Sequence, residues 1–466
     1  MRVRIQVVIE AGDASPITTE IAQIERSGPA GDTLGLHIAG AKSVLGRLQR
    51  SVVDAQVAEY VGASSQCPTC RAPLRCKGHH EIVYRTVFGK LTLRSPRLYG
   101  CNHGAREKPH GPRSFSPLAE TLCERTSPEL QYLESKFAAL MSYGLTLKVL
   151  EEILPLDQTL AAASIRRTLH RISERIDVDS TRQPGAAFDA LRASIPAPSP
   201  VRAIGIDGGY VRAHDGKTPQ EGWFEVIVGK SLRDDGAGQC FAYVHRLEAD
   251  PAQRMQRFVN DAGLQPDDPI TFLSDGGDTV RQAQSGFGPR GEYVLDWFHI
   301  GMRFQNLTQL AKGLEETDGS PKRSAILKDI EGAKWHLWHG SAYRAIQRLE
   351  SLSWDVDAMP DGEAKSKLAA KLEECLAYID NNQGFIVNYG DRFRHGDPIA
   401  SGFVESTVNQ VVAKRLVKQQ QMRWSDQNAH RLLQVRTAVL NRQLRRHFEH
   451  WYPGIAANDC SAQLTA

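Results

Sequence analysis

Cysteine is scarce in this chain: eight residues among 466 are too few for a disulfide scaffold. Two of them are spaced Cys67-x-x-Cys70, a pattern that reads as reduced and able to bind metal. Net charge is equally scarce. With 57 basic and 54 acidic residues the formal charge is +3, so any surface for a polyanion must be local. No uninterrupted run of about 18 apolar residues occurs, which excludes a membrane-spanning helix on thickness grounds. The opening MRVRIQVVIEAGD alternates as a strand does, and its short apolar run ends at Glu10, unlike a secretory core. The expectation is a cytoplasmic protein that meets no membrane.

What remains is the composition of a folded chain, 41% hydrophobic and 24% charged, long enough for roughly two to four domains. Residues 1–62 read as a strand and then a helix from about Leu36 to Val61, with Val44, Leu45, Leu48, Val52 and Val53 at its apolar positions. Residues 63–115 are dense in cysteine, histidine, glycine and proline, and hold two strand-like runs around Phe88-Gly89-Lys90. Residues 116–182 are helical, and 183–200 form a Pro/Ala/Ser-rich linker. From 201 to 300, three strand-like runs precede strands alternating with helices, which predicts an α/β domain with a mixed sheet. Residues 301–400 form a helical insertion, and 401–466 are expected to return to the core as helices.

Three carboxylates draw the chemistry together. Asp207 and Asp275 each end a strand-like run and each precede a Gly-Gly pair; they lie 68 residues apart. Strand ends are where open α/β sheets place ligands, and glycine lets the backbone approach a metal or phosphate. Glu405, 130 residues further on, begins the helix GFVESTVNQVVAKR. Such a set can hold two magnesium or manganese ions about 3.5–4 Å apart. For either aspartate alone, Asp-Gly is also ordinary turn chemistry.

From Val201 to about Leu440 the chain resembles bacterial insertion-sequence DDE transposases of the ISKra type, related to the Mutator-like group. The resemblance rests on GIDGGYVR (205–212), FLSDGG (272–277), LDWFHIGMR (295–303) and SGFVESTVNQVVAKRLVKQQQMRW (401–424). It implies an RNase H-like core interrupted by a helical insertion, with Asp207, Asp275 and Glu405 as catalytic metal ligands. Asp296 and His299 form the Asp-x-x-His that follows the second aspartate in such enzymes. Asp296 is the rival to Asp275 as second ligand; the plainer reading is an Asp–His pair that positions a helix start.

Lys414, Arg415, Lys418, Arg423 and Trp424 accompany Glu405 on a basic, amide-rich segment suited to phosphates and an unpaired base. Each alone is equally a solvated helix face. Cys67 and Cys70, followed 30 residues later by Cys101-x-His103, supply four ligands for a structural zinc in a zinc-ribbon-like module. Cys76, His79 and His80 compete for the fourth position. LTLKVLEEIL and AASIRRTLHRISERI suggest a helix-turn-helix, with Arg166, Arg167 and Arg171 facing DNA. Helices simply packed on the core are the alternative.

The expected function is transposition: binding terminal inverted repeats in double-stranded DNA, metal-dependent strand cleavage, and strand transfer to a target. A homodimer or larger assembly pairs the ends, in a nucleoid-associated cytoplasmic protein. An RNase H-like nuclease without strand transfer, or a repurposed DNA-binding protein without catalysis, are the alternatives.

Overall fold

In the computed structural model the described residues are 1–455, apart from 11–14, 27, 29–30, 32–33, 68–69, 100–113, 157–159, 182–199, 215–221, 237, 266, 315–322 and 418–422. They form two units, Met1–Ile172 with Gln443–Ala466, and Ser173–Arg442.

In the first unit, the alternating segments Arg2–Ile9 (β1) and Ile17–Glu25 (β2) pair as an antiparallel hairpin. The sequence reading has only the first of these strands. Helix α1 (Ile38–Ala63) follows. Its Leu45 and Val52 are exposed; the packing stripe is Val53, Val57 and Val61, against Ile82, Leu91, Leu93 and Leu118. Those partners belong largely to an antiparallel sheet of β3 (Arg75–Thr86), β4 (Gly89–Tyr99) and β5 (Ser114–Phe115). Gly89, at φ +121°, makes the sharp reversal between β3 and β4.

Helices α2 (Pro117–Thr121), α3 (Pro128–Leu140) and α4 (Tyr143–Ile153) each begin after a serine whose side chain accepts a backbone N–H three residues on. Proline at the first helical position of α2 and α3 costs no hydrogen bond there. Helix α5 (Ala162–Thr181) runs from this unit into the next. Helix α15 (Leu444–Trp451; the intervening helices follow below) departs from the expected core placement. Arg442, at φ +59°, breaks the chain before it, and buried Phe448 packs edge-to-face on Tyr132 of α3 at 5.5 Å.

The second unit is built on a five-stranded mixed sheet, order β10-β9-β6-β7-β8. Strands β6 (Val201–Arg212), β7 (Trp223–Arg233) and β8 (Cys240–Val244) form an antiparallel meander. Strands β9 (Ile270–Ser274) and β10 (Gly291–Leu295) run parallel to β6, each reached through a helix. Those connecting helices are α6 (Pro251–Asp261) and α7 (Asp278–Gln284).

Strand alternation assigns the two faces. Ile204 and Ile206 point into a core with Met255, Phe258, Val259 and Val280 of α6 and α7. Ala203 and Leu273 point the other way, into the core of α8 (Trp297–Lys312), α9 (Arg323–Trp338), α10 (Ala342–Asp357) and α11 (Glu363–Asn382). Each fully buried Leu, Ile or Phe there contributes about 1.5–3 kcal/mol. After α12 (Tyr389–His395) come α13 (Gly402–Val408), a π-helical stretch Asn409–Val417, and α14 (Asp426–Leu440).

Candidate active site

Register places three acidic residues in one row. Ile206 of β6 pairs with Ser274 of β9, and Ser274 pairs with Leu295 of β10. Asp207, Asp275 and Asp296 are the next residues on these three adjacent parallel strands. The sequence reading has the first two as strand-end acids; Asp275 does follow the end of β9, but Asp207 lies inside β6, which continues through Gly208-Gly209 to Arg212 because both glycines pair with β7. That Asp296 stands in the same row emerges only from the pairing.

The three are held differently. Asp207 Oδ1 accepts the Gly208 N–H of its own strand at 2.8 Å, and Asp275 Oδ1 accepts the Gly277 N–H of the loop after β9 at 3.0 Å. The Tyr378 hydroxyl of α11 donates to the Asp275 carbonyl at 3.1 Å. Gly276 has φ +81°, and a Cβ there would lie 2.1 Å from Asn382 Oδ1, so only glycine allows α11 to close on this loop.

Asp296 is fully buried and already satisfied. Its carboxylate accepts the Phe298 N–H at 2.8 Å as the cap of α8 and the Ser401 N–H at 3.1 Å. It also accepts the Ser401 hydroxyl, and it faces His299 Nε2 at 3.6 Å. With Trp297 N–H donating to the Ile399 carbonyl at 3.0 Å, Asp296 pins the segment leading into α13 to the end of the sheet. These bonds position the start of α8 and the segment entering α13, while the Asp275 side chain is partly exposed.

Helix α13 lies on the Asp207 face of β6. Gly205, Asp207 and Gly209 share that face by alternation. A Cβ on Gly205 would meet Val404 at 2.1 Å, and one on Gly209 would meet Val408 at 3.2 Å. Glu405 is therefore one residue from the valine that touches the strand, and its side chain is exposed.

Burial raises the Asp207 carboxyl to about 6; the negative charges of Asp275 and Asp296 push it further up, while His299 and the Gly208 N–H act against them. Among the described residues no group of three or more His, Cys, Asp or Glu side chains is close enough to hold a metal ion. His299, Asp275 and Asp296 are near enough to act electrostatically on Asp207, with Glu405 on the adjoining helix α13. The oxygen donors and crowded negative charge of Asp207 and Asp275 are of the kind that suit a hard divalent cation.

Asp207 sets a pH dependence. Its folded value lies above the ordinary 3.8, so its stabilising contribution is full below about pH 4 and is lost as pH rises through about 6. A cation bound to the ionised pair reverses that loss. We expect magnesium to raise Tm at about pH 7.5 and to have no effect at about pH 4, as measured by calorimetry.

Past Glu405, the π-helical stretch carries two corrections. Arg415 is fully buried, its guanidinium 5.3 Å from the ring of Trp424, which is itself buried. Neither can meet a phosphate or a base in this arrangement. The i→i+5 pattern changes which side chains face inward, so a normal helical wheel misplaces Arg415. Trp424 is locked besides by backbone bonds to Arg212 and His214. Lys414 and Arg423 are exposed, and Lys418 lies outside the described residues. Arg436 of α14 donates to the carbonyls of Gln410 and Val411, at 2.5 and 2.8 Å. Burial and the neighbouring Arg415 lower its pKa to about 10. Arg436→Met should destabilise the chain by about 2 kcal/mol in denaturant unfolding, because two interior carbonyls lose a charged donor. No signal in the sequence marks Arg436, Tyr378 or Asn382.

In the first unit, Arg71 N–H donates to the Cys67 carbonyl at 2.8 Å, and Arg71 has φ +60°. Cys101 and His103 lie outside the described residues. Of the competing ligands, Cys76 Sγ donates to the Gly78 carbonyl, His79 meets Arg94, and His80 meets Ser116. Arg166 and Arg167 of α5 are exposed; Arg171 is half-buried and donates to Gln131 Oε1 at 3.1 Å. Among the described residues no helix is long and apolar enough to cross a membrane. Comparison with family models and with curated proteins finds no match to this chain.

Proposed function

We propose that the chain is a DNA transposase whose second unit is an RNase H-like core. The observation that carries this reading is the row of acids across three adjacent parallel strands, Asp207 within β6 and Asp275 and Asp296 just past β9 and β10, with Asp207 and Asp275 acting on one another. The antiparallel meander followed by two parallel strands, with the helical segment between Asp275 and Glu405, supports the same core. Asp207, Asp275 and Glu405 would hold two magnesium or manganese ions. Such ions, when bound, activate the attacking water or 3′-hydroxyl and stabilise the leaving oxygen.

The protein's own residues do the rest. The Gly208 and Gly277 N–H groups orient the two aspartates, Tyr378 and Asn382 hold the Asp275 loop, and Asp296 with Ser401 fixes the entry to α13. Exposed Lys414 and Arg423 would contact phosphates flanking the cut. Arg166 and Arg167 would contact the terminal repeats, and two copies of the chain would pair the ends. Cys67 and Cys70, with Cys101 and His103, would hold one structural zinc.

The test uses the full chain and DNA carrying the ends that flank its own gene. Cleaved and joined products support transposition; cleavage without joined products favours a nuclease; binding without cleavage leaves a DNA-binding protein. For the zinc, elemental analysis should give one ion per chain, lost in Cys67→Ser together with a lowered Tm.

A further inference from the structure

Beside the Asp275 loop lies a partly enclosed cavity of about 230 Å³. Ser274 and Gly276, the two residues bracketing Asp275, line it, as do Tyr293, Phe385, Arg281 and Gln284. The lining is mainly apolar. The rings of Tyr293 and Phe385 stand edge-to-face at 6.3 Å, and the Arg281 guanidinium lies 4.8 Å from the Phe385 ring centre.

Two buried polar atoms of lining residues lack a hydrogen-bond partner, Arg281 Nε and Gln284 Nε2. Gln284 is 3% exposed, and its Nε2 has no hydrogen-bond partner. The Tyr293 hydroxyl donates to the Gln284 backbone carbonyl at 2.6 Å, which fixes the residue and leaves its amide to the cavity. Orphaned interior amides are rare, and one that lines a cavity points to a ligand.

We propose that this cavity receives a single unpaired nucleobase of the DNA cut at Asp207 and Asp275, an inference that rests on the DNA-cleaving reading. A base has a flat apolar body that suits walls of Tyr293 and Phe385. Its edge carries both donors and acceptors, which a glutamine amide matches in either orientation. The volume falls below the roughly 300 Å³ at which sites for larger ligands begin, so it suits one ring system and excludes a dinucleotide. With Ser274 and Gly276 in the wall, a base held there keeps its own backbone next to the second aspartate.

The probe is 2-aminopurine riboside, whose fluorescence falls on stacking, titrated into the full chain. Saturable quenching is expected, with half-saturation on the order of 0.1–1 mM. Ser285, exposed and also lining the cavity, gives a variant that fills it without touching the core. Ser285→Phe should abolish quenching, and Gln284→Leu should weaken it about tenfold, each with Tm within a few degrees of the parent. Absence of quenching in the parent chain, or unchanged quenching in Ser285→Phe, overturns the pocket even if the chain cleaves DNA. Quenching that Ser285→Phe removes supports the pocket even if no cleavage is seen, and in that event it is the DNA-cleaving reading that fails.

Discussion

Asp207→Asn is expected to lower DNA strand cleavage on the order of 10³-fold or more while duplex affinity stays within about threefold. Asparagine keeps the shape and can still accept the Gly208 N–H, but it removes the anionic oxygen a cation needs. The same change should stabilise the fold. The Asp207 carboxyl is buried beside Asp275 and Asp296 and titrates at about 6, so at about pH 7.5 its ionisation opposes folding. A variant that melts higher and no longer cleaves separates a group kept for chemistry from one kept for packing. The magnesium-dependent rise in Tm should vanish in it. If Asp207→Asn cleaved at the parental rate, the metal-ligand role of Asp207 would be wrong.

The second large effect is expected at Asp296, and it is of another kind. Alanine there removes the acceptor for Phe298, for the Ser401 amide and for the Ser401 hydroxyl in a fully buried setting. Two donors on Ser401 are left without that partner, which should cost about 3 kcal/mol in denaturant unfolding. The segment entering α13 also loses its tether, so residual cleavage should fall through misplacement of Glu405. Asp296→Asn retains one acceptor oxygen and should recover part of the stability. An Asp296 that served mainly as a metal ligand would behave as Asp207 does, losing cleavage without losing stability.

Much of the second unit is legible in the sequence because its signals are local. The runs around Asp207, Asp275 and Asp296 alternate or are continuously apolar, so strands β6, β9 and β10 form where the residues place them, although β6 continues through Gly208-Gly209, which the sequence reads as a turn. The helices of 301–400 are equally plain. What is hidden depends on pairing and packing. The row of three acids follows from register between strands that are far apart in sequence. Gly205 reads as an unremarkable strand residue, yet Val404 occupies the space of its missing side chain. Arg415 and Trp424 look like a nucleic-acid surface on a normal helical wheel, yet Arg415 is buried on the π-helical stretch and Trp424 is buried where its backbone pairs with Arg212 and His214. The C-terminal helix has the composition of its neighbours, so only the positive φ of Arg442 and the contact of Phe448 with Tyr132 assign it to the first unit.

The most direct measurement is anomalous diffraction from crystals of the full chain soaked in manganese. The account predicts two peaks about 3.5–4 Å apart, bounded by the carboxylates of Asp207 and Asp275, with Glu405 turned in from α13 to complete the set. Soaked crystals with no peak between the two aspartates, or with peaks that Glu405 does not approach, would contradict it.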